Sequence, residues 1–153
     1  MNKKFLLGTV AVFIVWQVLD YLIHGVLLMD TYTATADMWR PEMNMGLLMV
    51  VGLIAAAAFV YIYAAFVGNQ STATALKYGL VYGIGAGVSM GYGSYAVMDI
   101  PYNMALIWFL GAIVEALAGA YAMSLVVKPQ PAAVPTVSKV GGPKSEVRSP
   151  TLP

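Results

Sequence analysis

The chain contains no cysteine and very little charge. The first absence removes disulfides, thiolate metal sites and cysteine nucleophiles, and leaves the redox compartment open. The second is more telling, because only 10% of residues are charged against roughly 25% in a typical soluble domain. Histidine is nearly absent too. A single His24 leaves haem or zinc ligation within one chain short of ligands, and no metal or other cofactor is expected. The net charge of +1 provides no concentrated basic patch, so nucleic acid is not an expected partner.

What the chain has is apolar residues, 60% of the total. No charge falls between Phe5 and Leu19, between Met43 and Leu76, between Tyr78 and Met98, or between Ala116 and Val127. Water cannot solvate such stretches, whereas a lipid bilayer receives them. Lipid offers no partner to unpaired backbone groups, so each stretch is expected to be helical. The expectation is an all-α membrane protein with four transmembrane helices at about 5–29, 45–67, 75–98 and 104–127. Each is long enough to cross a hydrocarbon core of ~30 Å at ~1.5 Å per residue. The opening Met1-Asn2-Lys3-Lys4 before an apolar run has the look of a secretory signal. The run is too long for one, and no small-x-small cleavage pattern follows, so it reads as the first membrane helix.

Between the helices lie a polar loop from Asp30 to Asn44, a Gly68-Asn69-Gln70-Ser71-Thr72 break and a short Asp99-to-Asn103 turn. Trp39 in the first loop suits a membrane interface. Lys3, Lys4, Lys77, Lys128, Lys139, Lys144 and Arg148 fall on one side, and Arg40 alone on the other. By the positive-inside rule both termini are cytoplasmic, as expected in a bacterial inner membrane. After residue 127 the composition turns to proline among small and polar residues, which cannot bury enough apolar surface to order itself. The division expected is a four-helix transmembrane domain, 1–127, followed by a disordered Pro-rich cytoplasmic tail, 128–153.

Polar residues inside the apolar runs are the candidates for chemistry. In the first helix Thr9, Gln17, Asp20 and His24 fall within an arc of about 80° at ~100° per residue. Asp20 and His24, four apart, are set to pair. The last helix has one ionisable group, Glu115, on the side that carries Gly111, Ala118, Gly119 and Ala122. Counted from one membrane face, Asp20 is about nine residues deep and Glu115 about eleven, a difference of a few ångströms. Asp20, His24 and Glu115 therefore form a candidate intramembrane polar site, with Gln17 beside it. An unpaired ionised carboxylate there costs at least ~2.5 kcal/mol. The outcomes open to it are a neutral Glu115, an Asp20–His24 ion pair, or one proton shared by all three. Interhelical hydrogen bonding that merely fixes register is the bland alternative.

The third helix repeats glycine every fourth residue, at Gly79, Gly83, Gly87 and Gly91. Three successive intervals make a flat packing face, which Gly111 and Gly119 match on the fourth helix. That face can meet a helix of the same chain, a second copy or another subunit. No strand precedes these glycines and no lysine follows, which removes a phosphate cradle. Met29, Met38, Met43, Met45 and Met49 gather toward one end. Thioethers suit Cu(I), and the Met45/Met49 spacing resembles the methionine pair of eukaryotic-type copper channels. Those have three helices, and ordinary core filling is the preferred reading.

In the segment Ile23-His24-Gly25-Val26-Leu27-Leu28-Met29-Asp30-Thr31-Tyr32 and in Gly79-Leu80-Val81-Tyr82-Gly83, the chain resembles a group of small bacterial four-helix membrane proteins with no assigned activity. The likeness covers roughly residues 5–127. It implies the architecture and draws attention to His24, and carries over no mechanism. Two functions are expected in order. The first is a non-enzymatic accessory or scaffold subunit, packed against other membrane subunits or a second copy of itself. The second is a small dimeric transporter that binds a proton or cation at Asp20, His24 and Glu115.

Overall fold

The computed structural model describes residues 3–67 and 71–127. Among these the chain is helical and forms no strand. Helix α1, Lys3–Asp20, runs straight into a wider-wound stretch, Tyr21–Leu27, with π-type hydrogen bonding. A short helix α2, Met29–Ala34, and a 3-10 turn, Ala36–Met38, lead to α3, Met45–Phe66. Helix α4, Thr72–Gly87, likewise passes into a π-type stretch, Val88–Gly93, and ends in α5, Ser94–Val97. The last described helix, α6, is Tyr102–Val126. Among the described residues, three helices are long and apolar enough to cross a membrane: Lys3–Leu27, Met45–Phe66 and Tyr102–Val126. Glycine, tyrosine and serine dilute the Thr72–Val97 stretch, which is as long but less apolar. The Pro-rich tail expected from 128 lies outside the described residues.

Caps set several boundaries. Asn44 accepts a hydrogen bond from the Leu47 backbone N–H at 3.0 Å, and Ser71 accepts one from Thr74 N–H at 3.1 Å. Each satisfies an otherwise orphaned donor of a first turn. Ser71 and Thr72 were expected to break the chain. The serine instead starts α4 three residues earlier than the apolar run alone suggests.

The glycine repeat packs within the chain, against α6. An added Cβ would sit 2.6 Å from the Ala116 carbonyl oxygen at Gly79, 2.8 Å from Ile113 Cα at Gly83 and 2.6 Å from the Phe109 carbonyl oxygen at Gly87. At Gly91 it would run into the Ala105 carbonyl oxygen. Only glycine permits backbones this close. Along that contact residue numbers rise on one helix as they fall on the other, so α4 and α6 are antiparallel. Helix α1 is antiparallel to both α3 and α6: Gly8 meets Val60 and Val127, Gly52 meets Phe13 and Gln17, and Gly111 meets Ile23.

Helices α3 and α4 come together differently, through side chains. The Phe59 ring lies 4.7 Å from that of Tyr78 and 4.9 Å from that of Tyr82, and the Tyr78 hydroxyl donates to the Phe59 carbonyl oxygen at 2.8 Å. These rings join Val12, Val60, Tyr63, Ala116 and Met123 in the larger buried core. It occupies the half of the molecule nearest Lys3. In the other half α3 leaves the core, and its residues from Met45 to Ile54 are exposed or half-buried.

A second, smaller core closes the α2 end. Leu28, Ile100, Met104, Ala105 and Trp108 are buried there, with Tyr32, Met38 and Trp39 against them. The Asp30–Asn44 segment, expected to be a simple polar loop, is thus partly helical and folded onto the helix ends. The methionines also need correcting. Met29, Met43, Met45 and Met49 lie exposed on the outside, whereas Met38 packs against the smaller core as expected, and Met104 and Met123 are buried in the cores.

Candidate functional site

At the level where α1 meets α6, both α1 and α4 change from α to π winding. The Leu28 N–H reaches back five residues to the Ile23 carbonyl oxygen at 2.9 Å, the bond that closes a π turn. Such turns insert one residue and re-aim the side chains beyond them, and they occur often at functional sites. Here the two stretches, Tyr21–Leu27 and Val88–Gly93, deliver His24 and Met90 to the same cavity.

That cavity measures about 40 Å³ and is lined by Asp20, His24, Met90, Trp108, Gly111 and Glu115 among others. It has room for two or so water molecules, each needing ~10–15 Å³ by this measure. Glu115 stands between Gly111 and Gly119 on the α6 face that meets α1, as its spacing predicts. Its main-chain carbonyl oxygen accepts a hydrogen bond from the Trp16 indole at 2.8 Å. Its side chain lines the cavity together with Asp20, and the Glu115 Oε1 atom is buried with no partner. His24 Nε2 lies 3.9 Å from Asp20 Oδ1, near enough for attraction and too long for a hydrogen bond. The three groups do not close on one point, and no set of three His, Cys, Asp or Glu side chains among the described residues is grouped to hold a metal ion.

Asp20, His24 and Glu115 are therefore brought together, as the sequence suggests. Gln17 stands apart. Its amide donates to the Met49 thioether on α3 at 2.8 Å, and it packs by Gly52. Thr9 is buried and satisfied within its own helix, donating to the Phe5 carbonyl oxygen at 3.0 Å. The polar stripe of α1 thus splits between two neighbours. The six glycines singled out all face packing partners, four against α6 and two, Gly111 and Gly119, against α1.

Two residues of the site escape sequence reasoning. The Tyr32 hydroxyl lies 2.7 Å from His24 Nδ1, and the Trp108 indole donates to that same oxygen at 3.1 Å. Trp39 packs on both rings, 5.2 Å from Tyr32 and 6.2 Å from Trp108, held by a 2.9 Å bond to Thr35 Oγ1. Burial raises the Tyr32 phenol above its ordinary pKa, so this hydroxyl keeps its proton. A signal for Trp108 existed, since it is seven residues before Glu115 and shares its helix face. Tyr32 had none, because its partner on α6 is remote in sequence. Compared with known protein families, curated proteins and solved structures, the chain matches none of them.

Proposed function

We propose that the chain is a four-span membrane protein that binds and releases a proton at Asp20, His24 and Glu115, as the ion site of a small transporter. The observation that carries this reading is the buried, partnerless Glu115 Oε1 beside Asp20 and a water-sized cavity. An ionisable group left unsatisfied in a membrane interior is costly and points to function rather than to packing. The Thr72–Val97 stretch serves as the fourth crossing, since α4 and the π stretch follow α6 from Gly79 to Gly91. Lys3, Lys4 and Lys77 gather at one end, and Asp30, Asp37, Glu42 and Asp99 with Arg40 at the other. This distribution supports both chain ends lying on the cytoplasmic side of a bacterial inner membrane.

The test is infrared titration of the protein in bilayers, followed by flux measurements in proteoliposomes. A protonated carboxyl band that titrates in the native chain and disappears in Glu115→Gln, with flux lost in Glu115→Gln and Asp20→Asn, is the expected result. A band indifferent to Glu115→Gln would remove the proposal. A second reading, a helix-packing subunit of a larger assembly, draws on the α3 segment from Met45 to Ile54. Its large residues are exposed all around the helix and accept either lipid or another chain. Purification from native membranes in mild detergent separates the two: a chain recovered alone counts against the subunit reading.

A further inference from the structure

The proton site has a neighbour whose hydrogen bonds can be assigned almost entirely from chemistry. The Trp108 indole nitrogen can only donate, so at 3.1 Å it occupies a lone pair of the Tyr32 oxygen. That leaves the Tyr32 O–H to donate. His24 Nδ1, at 2.7 Å, is placed to accept it, and in a neutral imidazole an accepting Nδ1 puts the proton on Nε2. Nε2 is the nitrogen that faces Asp20 Oδ1.

We infer that Tyr32, clamped by Trp108, is a positioning residue that fixes His24 as the Nε2–H tautomer and so presents an N–H, not a lone pair, to the Asp20–Glu115 carboxyl pair. The inference rests on the proton-binding reading for its purpose, though not for its geometry. Tyr32 sits on α2, past the apolar span of α1, while His24 lies within it. One hydroxyl therefore ties the intramembrane site to the segment that covers its end. Burial disfavours the Tyr32 phenolate, so the hydroxyl meets His24 as an O–H donor. When His24 gains a proton at Nδ1, the Tyr32 O–H must rotate away and its oxygen accept instead. The oxygen has a second lone pair for that bond. The titratable groups around His24 are Asp20 on α1, Glu115 on α6 and Tyr32 on α2. From the α4 stretch comes only the neutral Met90.

Because His24 is the one histidine of the chain, ¹⁵N-histidine labelling reports on this imidazole alone. In bilayers at a pH where the ring is neutral, NMR should show a protonated Nε2 and an unprotonated, hydrogen-bonded Nδ1. Tyr32→Phe should remove the hydrogen-bond shift of Nδ1 and let both tautomers populate. Trp108→Phe keeps an aromatic ring and frees the Tyr32 oxygen; it should loosen the tautomer in the same direction, and stands in if Tyr32→Phe does not fold. A protonated Nδ1 in the native chain, or a Tyr32→Phe spectrum that superimposes on the native one, overturns the inference. If the tautomer behaves as described while Glu115→Gln leaves carboxyl titration untouched, the positioning role stands and the proton-binding reading falls.

Discussion

The Trp16 indole of α1 hydrogen-bonds the Glu115 main-chain carbonyl oxygen of α6 at 2.8 Å, over Gly119. A Cβ at Gly119 would lie 2.6 Å from that indole nitrogen, so the glycine makes the bond possible. Gly119→Ala should push the ring away and spread α1 from α6, at an overpacking cost of about 1–3 kcal/mol. Trp16→Phe, which loses mainly the hydrogen bond, should cost nearer ~0.5–1.5 kcal/mol. Thermal unfolding in detergent compares them. An unchanged midpoint for Gly119→Ala would contradict this account of the contact.

Gly83 and Gly85 should behave oppositely although two residues apart. A Cβ at Gly83 meets Ile113 Cα and the Ala116 methyl below 3.0 Å, whereas one at Gly85 meets nothing within 4 Å. Gly83→Ala is expected to lower the unfolding temperature clearly. Gly85→Ala should leave it level or raise it by the equivalent of ~0.4–1 kcal/mol, since alanine restricts the unfolded chain. Equal losses at both sites would mean that α4 presents a different face to α6.

Glu115→Leu should raise thermal stability while abolishing proton binding. The buried Oε1 has no partner, and removing an unsatisfied polar atom relieves a desolvation cost. Stability and activity commonly trade in this way at functional sites. Were Glu115 a structural hydrogen-bonding group, Glu115→Leu would instead destabilise the protein.

Since the chain has no cysteine, any introduced thiol is a unique label. Ala36→Cys, on the exposed 3-10 turn, and Ala73→Cys, exposed at the start of α4, lie toward opposite ends of the helices. In intact vesicles an impermeant maleimide should modify one and spare the other. Labelling of both from the same side would defeat the four-crossing arrangement.

The four helical stretches were legible because the interruptions in apolar sequence are short and strongly polar. The glycine face was legible because a four-residue repeat over three intervals has one geometric meaning. Other features left no trace. A π turn changes which carbonyl an N–H reaches without changing composition, so the stretches at Tyr21–Leu27 and Val88–Gly93 were invisible. Gln17 was misplaced for a geometric reason: α1 has α3 on one flank and α6 on the other, so a single polar arc can serve two partners. Tyr32 read as loop because the contact that gives it meaning, with Trp108, spans 76 residues.

The contrast between the two kinds of helix contact has a mechanical consequence. Where glycine sets backbone on backbone, α4 and α6 are in close contact from Gly79 to Gly91. Where tyrosine and phenylalanine rings join α3 to α4, the joint sits at one end, and the far part of α3 from Met45 to Ile54 is unattached on that side. There α3 is held by α1 instead, through the Gln17 amide on the Met49 thioether and Gly52 against Phe13, so α3 goes with α1 as α4 goes with α6. Asp20 and Glu115 lie instead on the seam of α1 with α6, which the Trp16 indole and the close approaches at Gly111 and Gly119 hold together.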